Sequence, residues 1–377
     1  MSIPRGARSL LVRLWIRFRL EILTVLAGFL VLLVVGGGLM ATSGISPVDG
    51  FAGLAEGSVG SIDGLASMIV RSTPVIFAGL GVTVAYRAGV FNVGAEGQLF
   101  IGGLFGSIVA VVGPGPLALN IPLSIVAAFI GGALWALLPG YLKAYRGVNE
   151  IISTVLMNFI ALQIVAYFVG GPFKEPGAYM PQSPRLPYDL PVLIPNSDAT
   201  YGFILALILT GIIWFYTART LSGLRMKAVG GNPLAARYLR VNDRQAIVWA
   251  MLVSGGLAGV GGIVEILGVS HRLFARFSSG FGFQGLIAAI MANGQVIATT
   301  LFSILLGGLR SGGEEMQRNT GVPVALIYII QGLIVLLVAG MSGRIRLSAA
   351  GGPDSAITPD ADPGRSQREQ AEDSDDA

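Results

Sequence analysis

The feature that most constrains this chain is a succession of apolar runs, each about as long as a lipid bilayer is thick. A hydrocarbon core about 30 Å thick needs roughly 20 apolar residues per helix, and fewer where a helix is broken or buried in protein. Ten spans are predicted, near residues 21–41, 64–86, 90–112, 121–142, 150–171, 201–217, 246–268, 282–293, 296–311 and 323–341. The eighth and ninth are separated only by Asn293, Gly294 and Gln295, which mark either a tight turn or the bend of a re-entrant segment. The sequence therefore predicts an all-α, polytopic membrane helix bundle.

The composition of the chain excludes several kinds of catalytic and metal-binding site. Of its 377 residues, 53% are hydrophobic and 12% are charged, which is outside the range of a soluble enzyme. Cysteine is absent and His271 is the single histidine, so disulfides, thiolate chemistry and a histidine metal cluster are excluded. No nucleophile paired with a base is recognisable either. We therefore expect no catalytic residue, no metal and no cofactor, and the first hypothesis is membrane passage of a polar compound.

The distribution of Lys and Arg predicts the orientation. Cytoplasmic loops near membrane ends collect these bases. With ten spans both termini share one side, and most of the 25 bases fall in the terminal segments and in loops on that same side. Both termini are therefore expected in the cytoplasm, and membrane topology rather than nucleic acid explains the basic excess. An alternative is that residues 1–44 form a cleaved signal peptide, with Ala41, Ser43 and Gly44 after the apolar run.

Three segments are predicted along the chain. They are a basic cytoplasmic N-terminus at residues 1–20, a transmembrane domain at 21–345 and a disordered acidic tail at 346–377, which lacks the apolar residues to fold. Within the transmembrane domain, a Pro-rich loop at 172–200 is expected outside the cell as an ordered, extended cap, because its prolines prevent a helix from continuing.

A basic loop at residues 218–245 is expected on the cytoplasmic side. In this loop Asn232 can cap a short helix that has Pro233 at its first position and one modest apolar face. On composition alone, the loop either fixes the orientation of the chain or docks a cytoplasmic partner.

A polar, glycine-broken octapeptide, Phe91–Gln98, lies between two apolar segments. A carboxylate such as that of Glu96 near mid-membrane costs roughly 2.5–3.5 kcal/mol on insertion scales, so it persists where it faces protein or a water-filled path. Glu96 is therefore either a pathway residue or a structural one, hydrogen-bonded between helices or paired with Arg71 or Arg87.

The spacing inside the octapeptide leaves the direction of its polar side chains open. Glu96 and Gln98 are two residues apart, so on a regular helix they point to different faces. Gly94 and Gly97 could loosen the backbone and let both side chains reach one cavity.

Other polar residues in the predicted spans also have two interpretations. Asn158 and Gln163 are candidates for a polar path, whereas Asn149 and Glu150 can simply cap the fifth span. Glu265 lies deep in the seventh span, where an interhelical hydrogen bond is the structural alternative.

Four stretches resemble a known family. The basic loop around Asn232 looks like the coupling segment of binding-protein-dependent ATP-binding-cassette importers, in the permease family that also includes branched-chain amino acid and ribose permeases. The octapeptide, with Val93 where isoleucine is expected, and residues 147–158 are similar to motifs of nucleoside and simple-sugar permeases. A further matching stretch runs through residues 255–285, and together these matches span most of residues 60–340.

The resemblance implies that this chain is the permease subunit of an ATP-driven importer, with 21–345 as its permease domain and 218–245 as its coupling loop. Its implied partners are cytoplasmic ATP-binding subunits, a second permease subunit, an extracytoplasmic substrate-binding lipoprotein and the lipid bilayer. ATP must be hydrolysed by another subunit, because the lysines of this chain precede Ala, Glu and Ala rather than the Ser or Thr of a phosphate-binding loop. The residues implied to couple to the ATPase are Gly223, Leu224, Arg225, Lys227, Gly230, Asn232, Pro233, Ala236, Arg237 and Tyr238. Those implied to line the path, or to be structural polar groups, are Phe91, Asn92, Glu96, Gln98, Asn149, Asn158, Gln163 and Glu265.

The sequence therefore predicts a ten-span permease subunit of the bacterial plasma membrane that passes nucleosides, or related polar sugar compounds, inward. Because a nucleoside is uncharged, Asn, Gln, Ser and aromatic side chains suffice to hold it. A simple-sugar permease of the same family is one alternative. Another is an ion-coupled secondary carrier that uses Glu96 or Glu265 as its ion site.

Overall fold

The computed structural model describes residues 34–38, 40–42, 44, 46–113, 116–323, 328–329 and 332–333. Over this part of the chain the secondary structure is helical, without a strand, and two isolated β-bridges occur in loops. The predicted all-α class is therefore confirmed for the described residues. The predicted segments 1–20 and 346–377, and most of the first and tenth spans, lie outside them.

Eleven α-helices have both of their ends within the described residues. They are α1 (Pro47–Ala55), α2 (Ile62–Arg87), α3 (Ala95–Val112), α4 (Leu117–Arg146), α5 (Glu150–Gly170), α6 (Gly202–Arg219), α7 (Leu221–Gly231), α8 (Pro233–Tyr238), α9 (Asp243–Glu265), α10 (Phe281–Met291) and α11 (Val296–Thr320). Single π-helical segments, Glu56–Gly60 and Ile266–Ser270, follow α1 and α9.

Seven of these helices are long and apolar enough to cross a membrane: α2, α3, α4, α5, α6, α9 and α11. They coincide with the second to seventh and the ninth predicted spans. The eighth predicted span, 282–293, is the 11-residue α10, which is only about 16 Å long at 1.5 Å per residue. A tight turn joins it to α11, with Asn293 and Gly294 at positive φ. The predicted number of ten full membrane spans is thus not confirmed.

The third predicted span begins later than expected, at Ala95 rather than at residue 90. Gly89 adopts φ +77°, and a Cβ there would lie 3.0 Å from the Cα of Gly230 in α7. Asn92 then accepts a hydrogen bond from the amide of Gly94 at 2.9 Å. The contact with α7 and this side-chain turn keep residues 88–94 outside the helix.

Helix α9 lies at the centre of the bundle and packs through glycine. A Cβ at Gly259 would meet the backbone of α4 and of α3, and one at Gly255 would meet the carbonyl oxygen of Gly132 in α4. The glycine run at residues 255–262 therefore serves close helix packing, the use that small residues usually have in membrane bundles. Helices α2, α3 and α9 are mostly buried, whereas α4, α5 and α6 leave most of their surface exposed.

The two ends of the bundle differ. The end that carries α7 and α8, called here the α7 end, also contains the last turns of α2 and α10. The opposite end carries the Pro-rich loop, through which no helix continues. This loop follows residues 267–273: the amides of Ser183, Leu186 and Leu190 donate to the carbonyls of Leu273, His271 and Leu267 at 3.0, 2.9 and 3.1 Å.

Candidate translocation and coupling sites

Two helices begin inside the bundle and meet at their N-termini. These are α3 and α10, and the backbone of Gly282 in α10 lies directly against the backbone of Ala95 and Glu96, where a Cβ would not fit. Oε2 of Glu96 accepts a hydrogen bond from the amide of Gly282 at 2.6 Å. A helix N-terminus carries exposed N–H groups and a positive partial charge, so a carboxylate stabilises it. Glu96, which is 6% exposed, thus caps α10 through an amide that lies 186 residues further along the chain.

The other polar side chains of the octapeptide form a second buried network. Nδ2 of Asn92 donates to Oε1 of Gln98 at 2.9 Å and to Oγ of Ser254 in α9 at 2.8 Å. Helix α3 is regular from Ala95 onward, so Gly94 and Gly97 do not loosen it, contrary to one of the sequence interpretations. Glu96 and Gln98 point to different faces and find different partners.

Asn158 joins α5 to this region. Its Oδ1 accepts from the amide of Gly97 at 2.8 Å, and its Nδ2 donates to the carbonyl of Val93 at 2.9 Å. Asn158 lies eight residues into the 21-residue α5, about 12 Å from its start. Two of the stretches that carry the family resemblance, 91–98 and 147–158, therefore contact each other midway along the bundle.

A cavity of about 310 Å³ opens beside this contact. Its polar wall includes Glu96, Asn158 and Ser278, and Arg276 also lines it. Its aromatic wall is formed by Phe100, Phe159 and Phe283. Sequence reasoning did not select Phe159, Arg276, Ser278 or Ser254, because each is an ordinary residue of an apolar helix or a loop until the fold brings it to the octapeptide.

The remaining predicted pathway residues lie away from the cavity. Asn149 caps α5 by accepting from the amide of Ile151 at 2.9 Å, as predicted. Phe91 packs edge-to-face on Tyr86 with ring centroids 6.3 Å apart. Gln163 is exposed on α5, and Glu265 is buried at the end of α9.

Arg71 and Arg87, the two arginines that the sequence offers as partners of Glu96, have other contacts. Nη2 of Arg71 pairs with Oε2 of Glu314 in α11 at 2.8 Å. Nε of Arg87 donates to the carbonyl of Gly294 at 2.8 Å. The interpretation of Glu96 as one half of an ion pair with either arginine is therefore wrong.

Helices α7 and α8 form a capped pair outside the long helices. The side chain of Thr220 accepts from the amide of Gly223 at 3.1 Å, and that of Asn232 accepts from the amide of Ala235 at 3.1 Å. The predicted cap at Asn232, with Pro233 at the first helical position, is confirmed.

One side of this pair is anchored on the bundle and the other is exposed, with Arg237 on the exposed side paired to Asp243 at 2.7 Å. Gly223, Met226, Val229 and Ala236 are buried. A Cβ at Gly223 would meet the backbone of α6 at Tyr216 and Thr217, and one at Gly230 would meet the carbonyl oxygen of Arg87. The exposed residues of the two helices and of Asn232 between them are Leu221, Leu224, Arg225, Lys227, Gly230, Gly231, Asn232, Pro233, Leu234, Ala235, Arg237 and Tyr238. Of the predicted coupling residues, Gly223 and Ala236 are thus buried anchors, Gly230 is exposed but contacts the end of α2, and the others form the outward surface.

Titratable and metal-binding groups are sparse in the described part of the chain. Within it, no group of three or more His, Asp or Glu side chains is placed to hold a metal ion.

Outside the long helices, hydrogen bonds from Gln182 and then Arg272 lower the pKa of the Glu175 carboxyl below its ordinary value. This links the Pro-rich loop to the segment after α9.

Comparison with known proteins identifies similar chains. A family model described as branched-chain amino acid transport system permease component matches residues 64–339. The chain is 34% identical to the glucose ABC transporter permease protein TsgB13 of Haloferax volcanii over 335 residues, covering 85% of this chain and 87% of that protein. It is 34% identical to the guanosine ABC transporter permease protein NupP of Bacillus subtilis over 313 residues, covering 81% and 90%. It is 27% identical to the nucleoside ABC transporter permease protein NupB of Lactococcus lactis over 330 residues, covering 84% and 89%. No solved structure matches.

Proposed function

The chain belongs to the family of branched-chain amino acid transport system permease components, and from this we propose that it is the membrane-spanning subunit of an ATP-driven importer for nucleosides or related polar sugar compounds. It is a multi-pass plasma membrane protein, as its apolar helices indicate. The observation that carries the substrate class is the 34% identity, over more than four fifths of both chains, to a permease named for guanosine. The equal identity to a glucose permease keeps a simple sugar as the second candidate.

The charges support an orientation with the α7 end in the cytoplasm. The bases at this end are Arg87, Lys143, Arg146, Arg219, Arg225, Lys227, Arg237, Arg240 and Arg244, against the acids Glu150 and Asp243 among the described residues. The opposite end mixes acids with its bases. Since cytoplasmic loops collect Lys and Arg, this distribution supports an outward-facing Pro-rich loop. Under the proposed topology, in which the first and tenth spans predicted from the sequence also cross the membrane, both termini lie inside.

Transport requires partners under this proposal. ATP is hydrolysed on cytoplasmic ATP-binding subunits, a second permease subunit completes the path, and an extracytoplasmic binding lipoprotein delivers the substrate. The outward surface of α7 and α8 is the docking surface for the ATPase, because it is basic, exposed and held by two separately capped helices.

The contacts supply a route for coupling. Movement of α7 is passed to the end of α2 through the contact of Gly230 with Arg87 and Gly89. Residues 88–94 lead directly from that contact into Glu96, which holds the start of α10. Closure of the ATPase subunits therefore shifts the junction of α3 and α10 beside the cavity.

An ion-coupled carrier that uses Glu96 has less support. The carboxylate of Glu96 already accepts the amide of Gly282 in the bundle interior, so binding an ion there would uncap α10. Liposomes containing this chain alone, compared with liposomes containing the assembled transporter, decide between the two. The importer takes up radiolabelled nucleoside only when ATPase, binding protein and ATP are present, and ion-driven uptake by the chain alone would overturn the proposal.

A further inference from the structure

We infer that the cavity beside Glu96 receives the purine base of a nucleoside as it crosses the membrane. This inference rests on the proposed function, and it adds a contact site and a chemical reason for choosing nucleosides over simple sugars.

The cavity lies midway along the bundle rather than at its surface. Phe277, next to Arg276, packs edge-to-face on Phe100 in α3 with ring centroids 5.1 Å apart. A Cβ at Gly103, also in the middle of α3, would lie 2.7 Å from the ring of Phe277. The loop after α9 therefore reaches into the bundle as far as the octapeptide, and Arg276 lies at that depth.

Arg276 is the unusual group in this wall. It is exposed, and no carboxylate of a described residue pairs with it. A guanidinium that faced hydrocarbon at this depth would be costly, so intramembrane arginines normally face water, protein or a substrate path. Its position indicates that the open side of the cavity borders a polar path.

The other polar groups of the wall are already engaged. Both atoms of the Asn158 amide bond to backbone at Gly97 and Val93, and the Glu96 carboxylate caps α10. Oγ of Ser278 accepts from the amides of Gly280 and Phe281, each at 3.3 Å. The groups left for a ligand are therefore the guanidinium of Arg276 and the aromatic faces of Phe159 and Phe283, which are 64% and 44% exposed.

This set of free groups fits a flat aromatic ring that carries acceptor atoms. Every nucleobase has a π-face that stacks on aromatic side chains, whereas a simple sugar has none. A guanidinium donates in parallel to O6 and N7 of guanine. At about 310 Å³ the cavity is at the small end of ligand sites, so it accepts one nucleoside-sized molecule.

The test uses the assembled transporter in proteoliposomes, with initial rates of ATP-driven guanosine uptake. Phe159→Ala and Arg276→Gln are each expected to reduce uptake at least about fivefold, since loss of a stacking or bidentate partner weakens base binding by that factor or more. Phe159→Trp retains a ring and is expected to retain uptake. Tyr167→Ala is the matched control, because Tyr167 is 68% exposed on the same helix but does not line the cavity. Co-purification with the ATPase verifies assembly of each variant.

A second measurement locates the base directly. 8-Azidoguanosine photolysed with the assembled transporter is expected to label peptides containing residues 155–162 or 276–283, with labelling suppressed by guanosine and not by glucose. Labelling elsewhere, or Phe159→Ala and Arg276→Gln variants that transport guanosine as Tyr167→Ala does, would overturn the inference alone. Wild-type transporter that imports glucose but no nucleoside would instead refute the nucleoside function itself.

Discussion

Replacing Glu96 by Gln tests the contact that joins the starts of α3 and α10. The amide keeps the size of the side chain and an acceptor oxygen, but it removes the charge that faces the amide of Gly282 at 2.6 Å. A hydrogen bond to a charged group contributes about 1.5–3 kcal/mol, against about 0.5–1.5 kcal/mol for a neutral pair. The difference, about 1–2 kcal/mol, destabilises the first turn of α10, which corresponds to a factor of about 5–30 in its opening equilibrium.

Hydrogen exchange read by mass spectrometry measures this opening. In the Glu96→Gln variant, amides in a peptide covering residues 278–290 are expected to exchange about 5–30 times faster than in the wild type, with little change in peptides from α4. Glu150→Gln is the matched control, because Glu150 also lies in the first turn of a long helix but pairs with Lys143 at 2.8 Å. If residues 278–290 exchange equally in wild type and in Glu96→Gln, the carboxylate does not hold α10.

Three further predictions concern coupling and the Pro-rich loop. Three bases on the outward surface, Arg225, Lys227 and Arg237, are replaced together by Ala. This variant is expected to show reduced ATPase co-purification and reduced ATP-driven uptake while its membrane insertion stays intact. Unchanged uptake would refute the role of these bases. Gly230→Ala is expected to lower ATP-driven uptake, because the added Cβ meets the carbonyl of Arg87 and lies 2.8 Å from the amide nitrogen of Gly89. Gly231→Ala is the control, since a Cβ there meets nothing within 4 Å. Equal uptake by the two variants would contradict the proposed coupling route. Gln182 and Arg272 lower the pKa of the Glu175 carboxyl from 4.5, so the stabilisation of the Pro-rich loop by Glu175 is complete above pH about 4.5 and is lost as the pH falls through the lower pKa of the folded state. Proteolysis of residues 172–200 in the wild type should therefore rise as the pH falls over that range. A Glu175→Gln variant should lack this pH dependence.

Local features of the fold could be predicted from the sequence. The second to seventh spans follow from apolar runs, and the caps at Asn149 and Asn232 follow from residue type and position alone. These features depend on a residue and its near neighbours, so no knowledge of distant parts of the chain is needed.

The features that depend on distant contacts could not be predicted. Helix α3 begins at Ala95 because Gly89 turns against Gly230, 141 positions along in the numbering. Glu96 finds a backbone amide rather than an arginine, and no sequence pattern indicates which of many N–H groups lies opposite a carboxylate. The site was recognised as polar from the octapeptide, but its aromatic wall and Arg276 come from segments that only the fold brings together.

The capping of α10 by Glu96 has a consequence for how this protein is made. The carboxylate enters the membrane with α3, but its partner amide is 186 residues further on. At synthesis rates of about 5–20 residues per second, Glu96 waits roughly 10–40 s for the start of α10 to emerge. During that interval the Glu96 carboxylate lies among apolar helices without the amide of Gly282 as its partner. Chains that stop before residue 281 should therefore be recognised as incomplete and degraded by membrane quality control, and pairing of Glu96 with Gly282 marks the point at which α10 joins the helices made before it, with α11 still to follow.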